Sequence, residues 1–126
     1  MRSPGLRIAD YALDARTHVI EAEGEIDLYA APSLKEEALE VSDRVGSRVV
    51  FDLSRVKFID SAGLAALLDV LKWMQPPEGS LALVVTDYDI ERLLHVTKLD
   101  ESFTIHRSRR EAVEALSSSE ASEPEA

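Results

Sequence analysis

Two short runs, Val49-Val50-Phe51 with Leu53 and Leu81 to Val85, are apolar on every position rather than on alternate ones. A strand with apolar side chains on both faces must be covered on both, so these runs read as interior strands of a sheet sheltered by helices. Between them, Leu64, Leu67, Leu68 and Leu71 fall at i, i+3, i+4 and i+7. That spacing lines one face of a helix. Pro76-Pro77 then stops it, because the residue before a proline is pushed out of the helical region.

The other segments complete an alternating pattern. Leu6 to Leu13 and Thr17 to Gly24 alternate in character around the polar break Asp14-Ala15-Arg16, which predicts an antiparallel hairpin. Pro32 suits the first turn of a helix, and Leu34, Ala38, Val41 and Val45 recur at helical spacing from Ser33 to about Arg44. A turn is expected after the strand ending at Leu53. Asp87 is placed to cap a helix carrying Ile90, Leu93 and Leu94. Phe103-Thr104-Ile105 reads as a short strand, and Ser108 as the cap of a last helix carrying Val113 and Leu116. The expected architecture is an α/β domain in the order β-β-α-β-α-β-α-β-α: a mixed sheet of about five strands with helices mainly on one side. At 126 residues the chain has room for one domain, expected over residues 6–116. Residues 1–5 read as a flexible N-terminus. Residues 117–126 contain Glu120, Glu123 and Glu125 but no large apolar side chain, and read as a disordered acidic tail.

Composition excludes several classes. Cysteine is absent, which removes disulfide scaffolds, thiol nucleophiles and cysteine zinc sites. Lys and Arg number 14 against 24 Asp and Glu, a formal net charge of -10. Such a field repels phosphate backbones and anionic membranes, and the one dense basic cluster, Arg107, Arg109 and Arg110, is interleaved with Glu111 and Glu114. Neither direct nucleic acid binding nor membrane binding is expected. No apolar signal segment follows Met1, and no run is long enough to span a bilayer, so the protein is expected in the cytoplasm.

The segment richest in chemical meaning is Phe58-Ile59-Asp60-Ser61-Ala62-Gly63-Leu64. Asp60 stands where the leucine-faced helix begins, and its carboxylate is suited to accept the orphan N–H groups of the first turn. Gly63 allows another backbone to approach closely. From the residues alone two readings stand. In one, Asp60-Ser61 only caps a helix. In the other, the Ser61 hydroxyl is exposed at a positive helix terminus that would tolerate an added phosphate.

Two motifs in order, Gly24-Glu25-Ile26-Asp27 before the first helix and Ile59-Asp60-Ser61-Ala62-Gly63-Leu64 opening the second, resemble the STAS-domain anti-sigma factor antagonist family. Leu93-Leu94 and Thr97 through Phe103-Thr104-Ile105 add a third match, and the similarity spans residues 6 to 116. The resemblance implies a STAS-like fold and a switch. Family members bind an anti-sigma factor that is also a serine kinase and thereby release the sigma factor. Phosphorylation of the serine after the motif aspartate, here Ser61, breaks the complex, and a serine phosphatase restores it. The partner-binding residues so implied are Asp27, Asp60, Ser61, Ala62 and Gly63. The sequence departs from the family at Ala62, where a second serine is frequent, and at Lys98, where glycine is frequent. The alternative is a STAS interaction or scaffold module of a larger sensory assembly, not phosphorylated, in which Ser61 merely caps.

Enzymatic readings find little support. A serine hydrolase elbow requires Gly-x-Ser-x-Gly, and Ile59 occupies the first glycine's place. His18, His95 and His106 are distributed over separate predicted elements, so no catalytic residue is assigned. A receiver domain would use Asp52 at the end of a buried strand, but the first strand is not followed by an acidic pair, and His106-Arg107 stands where its lysine would be. Asp52 reads instead as a polar strand-end residue. The glycines at 5, 24, 46, 63 and 79 are too dispersed for a phosphate cradle, and scattered carboxylates offer no metal site. No cofactor and no metal are expected.

Overall fold

The computed structural model describes residues 5–43, 48–75, 80–98, 101 and 103–121. Residues 1–4 of the expected flexible N-terminus, the Pro76-Pro77 stop and residues 122–126 of the expected tail lie outside the described residues. The elements are β1 (Leu6–Ala12), β2 (Thr17–Ile26), α1 (Ala31–Ser42), β3 (Arg48–Ile59), α2 (Ser61–Met74), β4 (Ser80–Val84), α3 (Tyr88–Val96), β5 (Thr104–His106) and α4 (Arg109–Ala121). The five strands form one sheet in the order β1-β2-β3-β4-β5. The β1–β2 hairpin is antiparallel, and every later pairing is parallel.

The interior strands are those that the apolar runs mark. Val49, Phe51, Leu53, Leu81 and Leu83 point to a core shared with Leu34 of α1, Leu67 and Leu71 of α2 and Leu94 of α3. The alternate residues Val50, Ala82 and Val84, with Val19, form a second cluster under Ala112 and Leu116 of α4. Three helices therefore cover one face and one covers the other, which is why β3 and β4 are apolar throughout.

Three details differ from expectation. First, no turn follows Leu53: β3 continues to Ile59, paired with β2 through Arg55, Val56, Phe58 and Ile59. Its pairing with β4 ends at Asp52–Val84, so this outer half has a neighbour on one side only and tolerates polar residues. Register shifts at Glu21/Glu23 and Gly24/Glu25 further blur the alternation that would have marked it as strand. Second, α4 runs to Ala121, so residues 117–121 belong to a helix and not to a tail, and Arg48 Nη1 donates to Ser117 Oγ at 3.3 Å. Third, Asp52 is not at a strand end, because β3 runs on to Ile59. It is 4% exposed on the α4 face, where the Arg109 guanidinium ion-pairs with it and with its β2 neighbour Glu21 and donates to the Tyr11 hydroxyl at 2.6 Å. One arginine thus bridges two adjacent strand carboxylates and ties α4 to β1, β2 and β3.

Candidate functional site: the start of α2

Strands β2 and β3 end side by side, with Ile26 paired to Ile59, so the next residues of each, Asp27 and Asp60, emerge together at one end of the sheet. Asp60 adopts an extended backbone and caps α2, its Oδ1 accepting from Gly63 N at 2.7 Å. Its Oδ2 accepts from Leu28 N at 3.0 Å. One carboxylate therefore fixes both the first turn of α2 and the loop between β2 and α1. The Asp60 N–H donates to the Ile26 carbonyl at 3.3 Å, closing the same junction.

Gly63 is required by this closeness. A Cβ at position 63 would lie 1.7 Å from the Ile26 carbonyl oxygen, which no side chain can accept without moving backbone. The close approach expected at Gly63 is thus to β2. Gly24 has a related constraint, with φ of 113° and a would-be Cβ 2.0 Å from the Gly5 carbonyl oxygen, which already accepts from Glu25 N.

Asp27 turns the chain into α1. Its Oδ1 accepts from Ala30 N at 2.9 Å, and its carbonyl accepts from Ala30 N and Ala31 N. Ala30, the residue before the helix, has no side-chain cap of its own, so Asp27 supplies the acceptor. Ser61 is the first helical residue of α2 and is exposed, Ala62 is half-buried and Gly63 buried. With both Asp60 oxygens engaged by backbone, the Ser61 hydroxyl stands at the positive end of the α2 dipole, facing solvent.

The rival residues lie elsewhere. His18 pairs with Val49 at the opposite end of β3 and bonds Asp10 at 2.7 Å, about 30 Å along the strand from Ser61. Asp52 is occupied by Arg109. The basic cluster is spent internally, Arg107 on Glu91, Arg109 on Asp52 and Glu21, and Arg110 on Glu114. Among the described residues, no helix is long and apolar enough to cross a membrane.

Sequence reasoning missed the side chains around the serine. Leu28 and Tyr29, in the loop that Asp60 holds, are 61% and 82% exposed, and Phe58 near the end of β3 is 49% exposed. Large apolar residues in a loop carry no periodic signal, and at Phe58 the register shift in β3 hides the alternation that would mark its face.

The STAS domain family model matches residues 11–112, a span containing both motifs. The anti-sigma-B factor antagonist of Listeria monocytogenes is 35% identical over 83 residues, 65% of this chain and 72% of that protein. The anti-sigma-B factor antagonist of Bacillus subtilis is 32% identical over 82 residues, 65% of this chain and 74% of that protein. The crystal structure of an anti-sigma factor antagonist from Mycobacterium paratuberculosis superposes with a TM-score of 0.79 at 26% identity, covering 92% of this chain and 98% of that one. Fold order, the aspartate-capped serine and the matched span agree: the chain belongs to the STAS domain family and resembles its anti-sigma factor antagonists.

Proposed function

We propose that this domain is an anti-sigma factor antagonist that works by partner switching. Unphosphorylated, it binds an anti-sigma factor serine kinase and so frees the sigma factor. Phosphorylation of Ser61 by that kinase ends the complex, and a serine phosphatase reverses it. The domain acts by binding, in the cytoplasm, with no catalytic group, cofactor or metal of its own.

The observation that carries this reading is the exposed Ser61 hydroxyl at the start of α2, with the capping work already done by Asp60. A helix already capped by the Asp60 carboxylate does not need a serine hydroxyl there. A phosphate at Ser61 adds about -1.5 to -2 charges beside Asp60. Within the free domain the helix dipole offsets part of that repulsion, so the fold persists. Against a packed partner surface the phosphate, far larger than the hydroxyl it replaces, would be sterically excluded and stripped of water, at a cost of several kcal/mol. Asp27, Asp60, Ala62 and Gly63 form the rest of the contact in this reading, with Asp60 and Gly63 also setting its shape.

Incubation with ATP and the serine-kinase anti-sigma factors of the same organism, followed by mass analysis, tests it. A single phosphate on Ser61, absent from Ser61→Ala, is the expected result. By calorimetry Ser61→Asp binds the kinase poorly and Ser61→Ala binds it well, both with wild-type circular dichroism. Absence of phosphate with every such kinase overturns the switch and leaves the scaffold reading.

A further inference from the structure

Soluble domains seldom leave several large apolar side chains exposed together unless a partner covers them. Leu28 and Tyr29 stand in the β2–α1 loop, and Phe58 one residue before the Ile26–Ile59 pair, all at the end of the sheet where Ser61 emerges. The loop is held, not loose: Leu28 N is bonded to Asp60, and Ala30 N and Ala31 N are bonded to Asp27. Rigid presentation of an aromatic and an aliphatic side chain lowers the ordering cost of binding.

The charge around them is mostly acidic. Glu25 is the cross-strand partner of Phe58, and because Ile26 and Ile59 face the core, Glu25 and Phe58 project from the opposite face. Lys57, the extra residue at the register shift, is exposed beside Phe58 and lines a cavity with Glu25 and Arg55, so the acidic excess rests on Glu25 and on the residues nearer Ser61. Asp27 and Asp60 carry the acidic rim on toward Ser61, on a chain whose formal net charge is -10.

We propose that Leu28, Tyr29 and Phe58 are the apolar anchors of the partner interface, and that the partner presents an apolar pocket bordered by arginine or lysine. This rests on the proposed function and gives its interface a chemical character: the anchors supply affinity, the acidic rim supplies approach rate and orientation. It also places the Ser61 phosphate at the margin of a surface built to exclude water.

The test is calorimetry of the full chain against a purified anti-sigma factor serine kinase of the same organism, at low and high salt. Tyr29→Ala, at an 82% exposed residue, is expected to weaken binding about tenfold or more with the melting temperature unchanged. The pair Leu28→Ala/Phe58→Ala is expected to weaken it as much, and because Phe58 is only 49% exposed its binding is measured well below its own melting temperature. Leu28→Ala keeps the backbone N–H that Asp60 accepts. Glu25→Lys is expected to weaken binding mainly at low salt, and wild-type affinity is expected to fall as salt rises. If the wild type binds and the anchor variants bind equally well, the anchor proposal is wrong while the proposed function stands. Binding indifferent to salt and to Glu25→Lys removes the cationic partner surface. If the wild type binds none of these kinases, both proposals fail. Self-association lost in Tyr29→Ala would assign the patch to a second copy and overturn the proposal.

Discussion

Replacing Asp60 by alanine removes two hydrogen bonds with different duties, and their sum can be worked out. The bond from Gly63 N is a helix N-cap, and loss of such a cap costs about 1 kcal/mol. The bond from Leu28 N reaches across 32 residues of chain to an exposed loop, where water can replace the lost acceptor. Its net loss is about 0.5–1 kcal/mol, raised somewhat because the acceptor is charged. Together Asp60→Ala should destabilise the domain by about 2 kcal/mol. For a chain of this size that lowers the melting temperature by about 6–10 °C. Asn also caps well but has a single acceptor oxygen, so Asp60→Asn should recover the cap, about half of the loss, and leave Leu28 N without its acceptor. Urea unfolding of the three proteins, with equal slopes, measures both differences. Asp60→Ala as stable as wild type within about 0.5 kcal/mol would refute the assignment of Asp60 as the clamp between α2 and the β2–α1 loop.

Arg109→Ala leaves the buried Asp52 and its neighbour Glu21 without their cation, and should cost about 3 kcal/mol in chemical denaturation; Arg109→Met with Asp52→Asn should restore much of it. Gly63→Ala forces a Cβ onto the Ile26 carbonyl and should cost about 3 kcal/mol or more, read as a drop in denaturation midpoint and loss of the Leu28 amide's protection in hydrogen exchange. Lys98 holds φ of 63°, a left-handed backbone that glycine adopts freely, so Lys98→Gly should stabilise the domain by about 0.5–1 kcal/mol in the same assay. Backbone hydrogen bonds from Arg16 and Thr17 hold the Asp14 carboxyl below its ordinary range. Its contribution is present above the unfolded pKa and lost as pH falls through the folded one, so an NMR titration should place Asp14 among the last carboxyls to protonate.

The elements that were legible in the sequence are those whose signal is local or periodic. The apolar runs at 49–53 and 81–85 named the interior strands, the leucine heptad named α2, and Asp60, Asp87 and Ser108 stand at the helix starts where their side chains accept backbone N–H groups. The site was legible because a capping aspartate, a serine and a close-approach glycine are neighbours in sequence. What could not be read depended on distant partners. The outer half of β3 is strand because β2 happens to be long enough to pair with it. Asp52 is buried because Arg109, 57 residues away, reaches it. The same applies to Asp27, whose turn-forming bonds are local but whose placement beside Asp60 needs the β2–β3 register. In Lys98 the expected departure proved mild: the backbone keeps the glycine-like geometry and lysine bears the strain.

The strand order, strictly sequential from β1 to β5, has a consequence for how the chain assembles. Each parallel step from β2 onward uses one helix as its crossover, and crossovers of one hand progressing in one direction leave their helices on one face. That is why α1, α2 and α3 share a core. The last helix, α4, bridges no pair of strands and is free of that constraint, so it is the element that can close the other face. Its landing place, Val19 of β2, Val50 of β3, and Ala82 and Val84 of β4, exists only once three strands have registered. Closure by α4 therefore has to wait for those three strands. Until it occurs, a growing chain emerging from the ribosome keeps one apolar face of its central strands in water, the interval in which it is most exposed to self-association.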